Sequence, residues 1–178
     1  RRLLMNKRPY LVILVTALVL FSGLSAFEQK EGEDKAAALA VVNKLFDEMA
    51  AANAAGIIAL GTPENQLVAI QKMRDGRSRV SVIGSEAFSK FFTKPGSIEE
   101  VMYDPKVEVS GDWAMVWGRY VFWAEGKLSH CGINQFNLVR TDAGWKIANG
   151  ASTMDPSDCN EKEKAMKPSA AKKAKEQE

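Results

Sequence analysis

The segment WAMVWGRYVFWAEGKLSHCGINQFNLVRT, residues 113–141, carries the clearest structural pattern in this chain. It has no helical period. Large and small side chains alternate with a period of two, as on a strand whose two faces meet different surroundings. Glu125-Gly126 interrupts the run with residue types suited to a two-residue hairpin turn. Such a turn puts Ala124 opposite Lys127, and counting back fixes the rest of the pairing. Trp123 then meets Leu128, Val121 meets His130, Arg119 meets Gly132, Trp117 meets Asn134 and Met115 meets Phe136, all on one face. The other face takes Ala114, Val116, Gly118, Tyr120 and Phe122. Across a four-residue loop at Thr141–Gly144, Leu138 meets Ile147, Phe136 meets Asn149 and Asn134 meets Ala151. The register therefore predicts a face bearing Trp117, Trp123 and Trp145 among aliphatics, with Arg119, His130, Asn134 and Asn149 as its polar side chains. Closed over by helices, a curved sheet with that face encloses an apolar chamber with sparse orienting groups. A one-residue slip would turn each of these side chains to the opposite face.

Beyond this stretch, the alternation predicts strands at Ile98–Val109, Asp112–Ala124, Lys127–Thr141 and Gly144–Thr153, joined by Ser110-Gly111, Glu125-Gly126 and Asp142-Ala143-Gly144. Earlier, Arg74-Asp75-Gly76 marks a hairpin between Gln66–Met73 and Arg77–Ile83. Leu39, Val42, Leu45, Phe46 and Met49 recur at helical spacing, which predicts a helix over Ala36–Asn53 with Asp34 as N-cap and Gly56 as stop. A helical turn is expected at Ile57–Leu60, and a third helix at Glu86–Phe92 capped by Ser85. Helices first and a long antiparallel meander last make the fold class α+β.

The ends read differently from the middle. Of 178 residues, the first 26 hold Arg1, Arg2, Lys7 and Arg8 and no acid, leaving 20 basic against 22 acidic side chains in the rest. That balance gives no electrostatic reason for a nucleic-acid partner. Lys7-Arg8, the apolar run from Leu11 to Phe21, and small residues up to Ala26 form the pattern of an export signal, residues 1–26. The run is short of the roughly 20 residues of a membrane span, although an uncleaved anchor is the alternative. A periplasmic or secreted location follows, with no membrane contact after cleavage. Residues 27–35 read as a charged linker, 36–159 as the folded domain, and 160–178, with six lysines and four glutamates, as a disordered charged tail. In an exported chain the two cysteines, Cys131 and Cys159, are expected to pair, closing a loop of roughly 30 residues worth about 3 kcal/mol; two buried free thiols are the alternative.

With these residues in view, the helix–short helix–hairpin–helix–meander order resembles the nuclear transport factor 2-like superfamily, over about Ala36–Thr153. The local marks are Val109-Ser110-Gly111-Asp112-Trp113-Ala114, Asn137-Leu138-Val139-Arg140-Thr141-Asp142 and Gly144-Trp145-Lys146-Ile147. Ser129-His130-Cys131-Gly132 and Cys159 resemble a secreted subgroup alongside the SnoaL-like, DUF4440 and lumazine-binding types. The resemblance implies a cone-shaped barrel with N-terminal helices on a curved antiparallel sheet, and a homodimer paired through that sheet. It does not imply a chemistry, because the superfamily holds enzymes, binding modules and inactive domains. Its isomerases use an Asp base with an oxyanion hole of Tyr and protonated Asp. On the register above, no acid lies on the cavity face of the meander and Tyr120 lies on the other face.

Each candidate has two readings. His130 suits proton transfer or a hydrogen bond to a ligand, or it is simply satisfied near the barrel mouth. Arg119 clamps an anion, or pairs internally with Asp104 or Glu108. Asn134 and Asn149 orient a polar ligand edge, or bond each other. Trp117 and Trp123 stack on a ligand, or pack the core. Asp155-Pro156-Ser157-Asp158 lacks spaced ligands, so no metal is expected, and no cofactor motif is present. The expected function is an exported domain binding a small apolar ligand. The alternatives are an isomerase-, dehydratase- or hydrolase-type enzyme using His130 and Arg119, and a dimeric structural module without a ligand.

Overall fold

The computed structural model describes the backbone of residues 8–168 and the side chains of residues 29–168. Its elements are α1 Arg8–Ala50, α2 Ala54–Leu60, β1 Gly61–Lys72, β2 Ser78–Gly84, α3 Ser85–Ser89, β3 Ile98–Ser110, β4 Trp113–Ala124, β5 Lys127–Thr141, β6 Gly144–Met154 and α4 Glu161–Ala165. The six strands form one curved, unclosed sheet in the order β2-β1-β6-β5-β4-β3. Every neighbouring pair is antiparallel except β1 with β6.

Local chemistry sets the frame. Glu125 and Gly126 both adopt positive φ, 48° and 71°, the geometry that lets a two-residue turn follow the twist of its strands. The apolar stripe of α1 (Ala38, Val42, Leu45, Phe46 and Met49) is buried on the inner face of the sheet against Val116, Phe136, Leu138, Trp145 and Ile147. Phe46 meets Phe136 edge to face, with ring centres 6.1 Å apart. Asn53 caps α2 by accepting from the Gly56 amide.

Several boundaries differ from those the sequence predicts. Residues 27–35, expected as a linker, are helical, because α1 runs unbroken from Arg8 to Ala50. Asp34 is accordingly not a cap but a helix-interior residue paired to Arg140 on β5 at 2.7 Å. The third helix is shorter, ending at Ser89. The expected tail begins with α4, held by a reciprocal cap between Asn160 and Glu163; residues 169–178 lie outside the described residues. The expected export signal is outside them at residues 1–7, and from Arg8 its backbone is part of α1. Among the described residues no helix is long and apolar enough to cross a membrane.

The register departs at two β-bulges. Trp123 faces Leu128 as counted, but Phe122 faces His130, so Ser129 is an extra residue on β5. Likewise Leu138 faces Ile147 while Asn137 faces Asn149, leaving Ala148 extra on β6. Each bulge slips the pairing by one residue. The first leaves His130, Asn134 and Phe136 on the inner face but reverses β4, so Tyr120 and Phe122 look inward and Trp117, Arg119 and Trp123 look outward. The second carries Asn149 to the outer face.

Candidate functional site

Between the inner face of the sheet and the helices lies a cavity of about 510 Å³. Its walls are mainly apolar: Leu45, Phe46 and Met49 from α1, Phe88, Phe91 and Phe92 from α3 and the turn after it, and Tyr120, Phe122 and Phe136 from β4 and β5. Polar side chains enter at few points. Glu100, Phe122 and His130 lie in one row across β3, β4 and β5, because Glu100 pairs with Phe122 and Phe122 with His130. At about 4.8 Å per strand, the acid and the imidazole start roughly 10 Å apart at their backbones, with the phenyl ring between.

His130 stacks on Phe122 with ring centres 4.8 Å apart and meets Tyr120 edge to face at 5.7 Å. Burial holds its imidazole well below its ordinary range, at about 4, so it is neutral at pH 7. Ser129 Oγ lies 3.0 Å from Nδ1. Among the described residues Nε2 has no hydrogen bond. A neutral ring bonded at one nitrogen offers the other to a ligand, as donor or acceptor according to tautomer. The bulge thus both turns His130 inward and supplies the hydroxyl that orients its ring.

Asn134 is fully buried. Its amide donates to Glu100 Oε1 at 2.6 Å, and its carbonyl oxygen accepts from Ser152 Oγ at 2.6 Å. The Tyr120 hydroxyl donates to the Thr153 carbonyl at 2.8 Å. Burial first, and the charge of Glu100 second, push its ionisation upward. Gly132 makes room here, since a Cβ on it would stand 1.9 Å from the Thr153 carbonyl oxygen. At the opposite edge of the sheet, Gln71 and Arg79 face each other across β1 and β2 and also line the cavity.

Of the candidates expected from the sequence, the structure keeps two, His130 and Asn134, on the cavity side, and only His130 is a wall of it. Arg119 is on the outer face. It grips Glu163 through Nε at 2.6 Å and Nη2 at 3.0 Å, and Asp158 through Nη1 at 3.1 Å. Tyr103 also donates to Glu163. Burial acts to raise the Glu163 pKa, but the hydrogen bonds from Arg119 and Tyr103 outweigh it and hold the carboxyl below its usual range. The partners are therefore neither Asp104 nor Glu108. Trp123 is buried on the same outer side with Val101, Val121 and the bond between Cys131 and Cys159 (S–S 2.11 Å). Trp117 is partly exposed beneath Lys106. Asn149 bonds Asn137, not Asn134. Cys131, Cys159 and Glu163 converge as metal donors would, but the sulfurs are bonded to each other and the carboxylate is already held.

Two inward groups, Glu100 and Tyr120, are not among the sites expected from the sequence. The bulge at Ser129 is what turns Tyr120 inward. Glu100 is legible only with the β3 register, which places it level with Phe122.

No family profile matches the chain, and no curated protein does either. Solved structures do. A nuclear transport factor 2-like protein with a cystatin-like fold from Novosphingobium aromaticivorans aligns with a TM-score of 0.59 at 14% identity, over 79% of this chain and 92% of that one. The chain has the nuclear transport factor 2-like fold. A protein proposed to be a dehydratase of the nuclear transport factor 2-like family from Streptomyces avermitilis aligns with a TM-score of 0.55 at 16% identity, over 70% and 97% of the two chains. A protein of unknown function with a cystatin-like fold from Nostoc punctiforme aligns with a TM-score of 0.55 at 11% identity, over 69% and 92%.

Proposed function

We propose that this nuclear transport factor 2-like chain is an exported binding domain that holds one small, largely apolar molecule in its inner cavity. The observation that carries this is the cavity itself: about 510 Å³, within the roughly 300–1,000 Å³ of small-molecule sites, walled by aromatic rings and supplied with a few polar groups. His130 Nε2 gives the ligand a hydrogen-bonding point, and the Glu100–Asn134–Ser152 chain fixes the polar wall around it. Export rests on the basic–apolar–small pattern of residues 1–26 and on the disulfide, a bond favoured in oxidising compartments. Pairing of two copies through the outer sheet face belongs to the same reading, since Trp113 and Trp117 are exposed there; light scattering at twice the chain mass is the expected result.

The test uses Nile red, a neutral apolar dye whose emission reports a dry site. Saturable one-to-one binding by the full chain is expected, and Ala69→Trp, which fills the cavity from β1, should abolish it. No saturable binding, or binding indifferent to Ala69→Trp, overturns the reading.

The placement of Glu100 and His130 in one row favours a second reading, acid–base catalysis on a ligand lying across Phe122. Arg119 has no part in it. A molecule retained from the native host, followed by mass spectrometry, should be converted by the wild-type chain and not by Glu100→Gln or His130→Phe; equal conversion by all three removes the enzyme reading.

A further inference from the structure

We infer that the molecule held in the cavity is an anionic amphiphile, its apolar part among the phenylalanines and its carboxylate or equivalent anion at Arg79. This rests on the cavity being a ligand site, as proposed above. Arg79 is the one cationic side chain that lines the cavity among the described residues. It forms no salt bridge and no side-chain hydrogen bond with them, whereas Arg77, two residues earlier on the hairpin, is already paired with Asp75 at 2.7 Å. The pairing of β1 with β2 sets Gln71 directly opposite Arg79. A guanidinium fork with an adjacent amide matches the two oxygens of a carboxylate, and Arg is suited to that bidentate contact.

Charge at the other edge points the same way. Glu100 stands on β3, the strand at the far side of the sheet from β2, and its carboxylate accepts from Asn134. No lysine or arginine among the described residues lines the cavity on that side, so the negative end of a ligand is directed to Arg79. Between the two ends the walls are rings and aliphatics, and Phe91 at the rim is 69% exposed, an apolar surface left open beside the entrance. Apolar along its length and cationic at one end, the cavity matches a molecule with a single negative head.

The test compares decanoate, decan-1-ol and decylamine, each below its micelle concentration, as displacers of Nile red from the full chain. Arg79 and Gln71 are both exposed at the edge of the cavity, so decanoate should displace at roughly one half to one fifth the concentration of decan-1-ol, the ratio expected of one ion contact at an exposed site, and decylamine should be the weakest. Raising salt should weaken decanoate alone. Arg79→Gln should remove the preference, bringing the decanoate midpoint to that of decan-1-ol measured on the same variant. Equal displacement by decanoate and decan-1-ol in the wild type, or an Arg79→Gln variant that keeps the preference, overturns the inference while leaving a neutral-ligand site standing. Failure of Nile red itself to bind overturns the site and the inference together.

Discussion

Reducing the bond between Cys131 and Cys159 should lower the stability of the whole domain, by an amount that follows from its place in the chain. The two residues are 28 apart in sequence. In the chain-entropy treatment, cross-linking a loop of that length disfavours the unfolded ensemble by about 3.6 kcal/mol at 25 °C. For a domain of this size that is a fall of about 7–14 °C in melting temperature. The site magnifies the change rather than hiding it, because the bond lies with Val101, Val121 and Trp123 on the outer face, where the C-terminal segment covers the sheet. Released, that segment is held by non-covalent contacts, chiefly the Asp155–Cys131 backbone bridge, the grip of Arg119 on Asp158 and Glu163, and the contacts of Tyr103 with Glu163 and Lys162. Calorimetry of the full chain with and without a phosphine reductant, with thiols counted by mass spectrometry, reads the difference. A Cys131→Ala/Cys159→Ala variant should already melt low and ignore the reductant. If both thiols are free and the transition moves by less than about 2 °C, the strap contributes little and the reasoning fails.

Arg119→Ala should cost about 2–3 kcal/mol in urea denaturation, because it strands the buried Glu163 carboxylate, while the Nile red affinity stays within about twofold; a tenfold loss of affinity at an unchanged urea midpoint would return Arg119 to the ligand site. Gly132→Ala drives a Cβ to 1.9 Å from the Thr153 carbonyl oxygen, so it should cost at least about 3 kcal/mol or prevent folding, whereas a variant melting within a degree of wild type would contradict the close approach of β5 and β6. Stability should also fall as pH drops from about 6.5 to about 4. In that window the unfolded imidazole takes up a proton that folded His130 refuses, a difference of at most about 3 kcal/mol. His130→Phe should remove that part of the slope, and an unchanged slope would count against burial of the ring.

Most of the architecture is legible in side-chain alternation and turn chemistry. The starts and ends of β3 to β6 follow from Ser110-Gly111, Glu125-Gly126 and the loop before Trp145, where only certain residues accept the backbone required. A single inserted residue is not legible in the same way. Ser129 and Ala148 look like ordinary strand residues, yet each changes which face the neighbouring strand presents. Bulk then misleads the choice of face on β4: Trp117 and Trp123 invite an inward assignment, but Trp123 is buried from the outside by a C-terminal segment that reads as a solvated tail. That segment hides its purpose because Glu163, the residue that anchors it, looks like any other charge in a lysine- and glutamate-rich run. The same slip explains Arg119, drawn inward by counting and found paired outward. His130 falls on the inner face either way, because the bulge that changes its partner from Val121 to Phe122 coincides with the reversal of β4.

His130 is the one histidine in the sequence, so its proton resonances in an untagged chain need no assignment. That imidazole lies inside the chamber, stacked on Phe122. Its nuclear magnetic resonance titration should therefore show protonation only near pH 4, and its signals should shift when Nile red or decanoate is added. A midpoint near the ordinary value of about 6.5, with signals unmoved by either compound, would put the ring in water and leave the cavity without its polar wall.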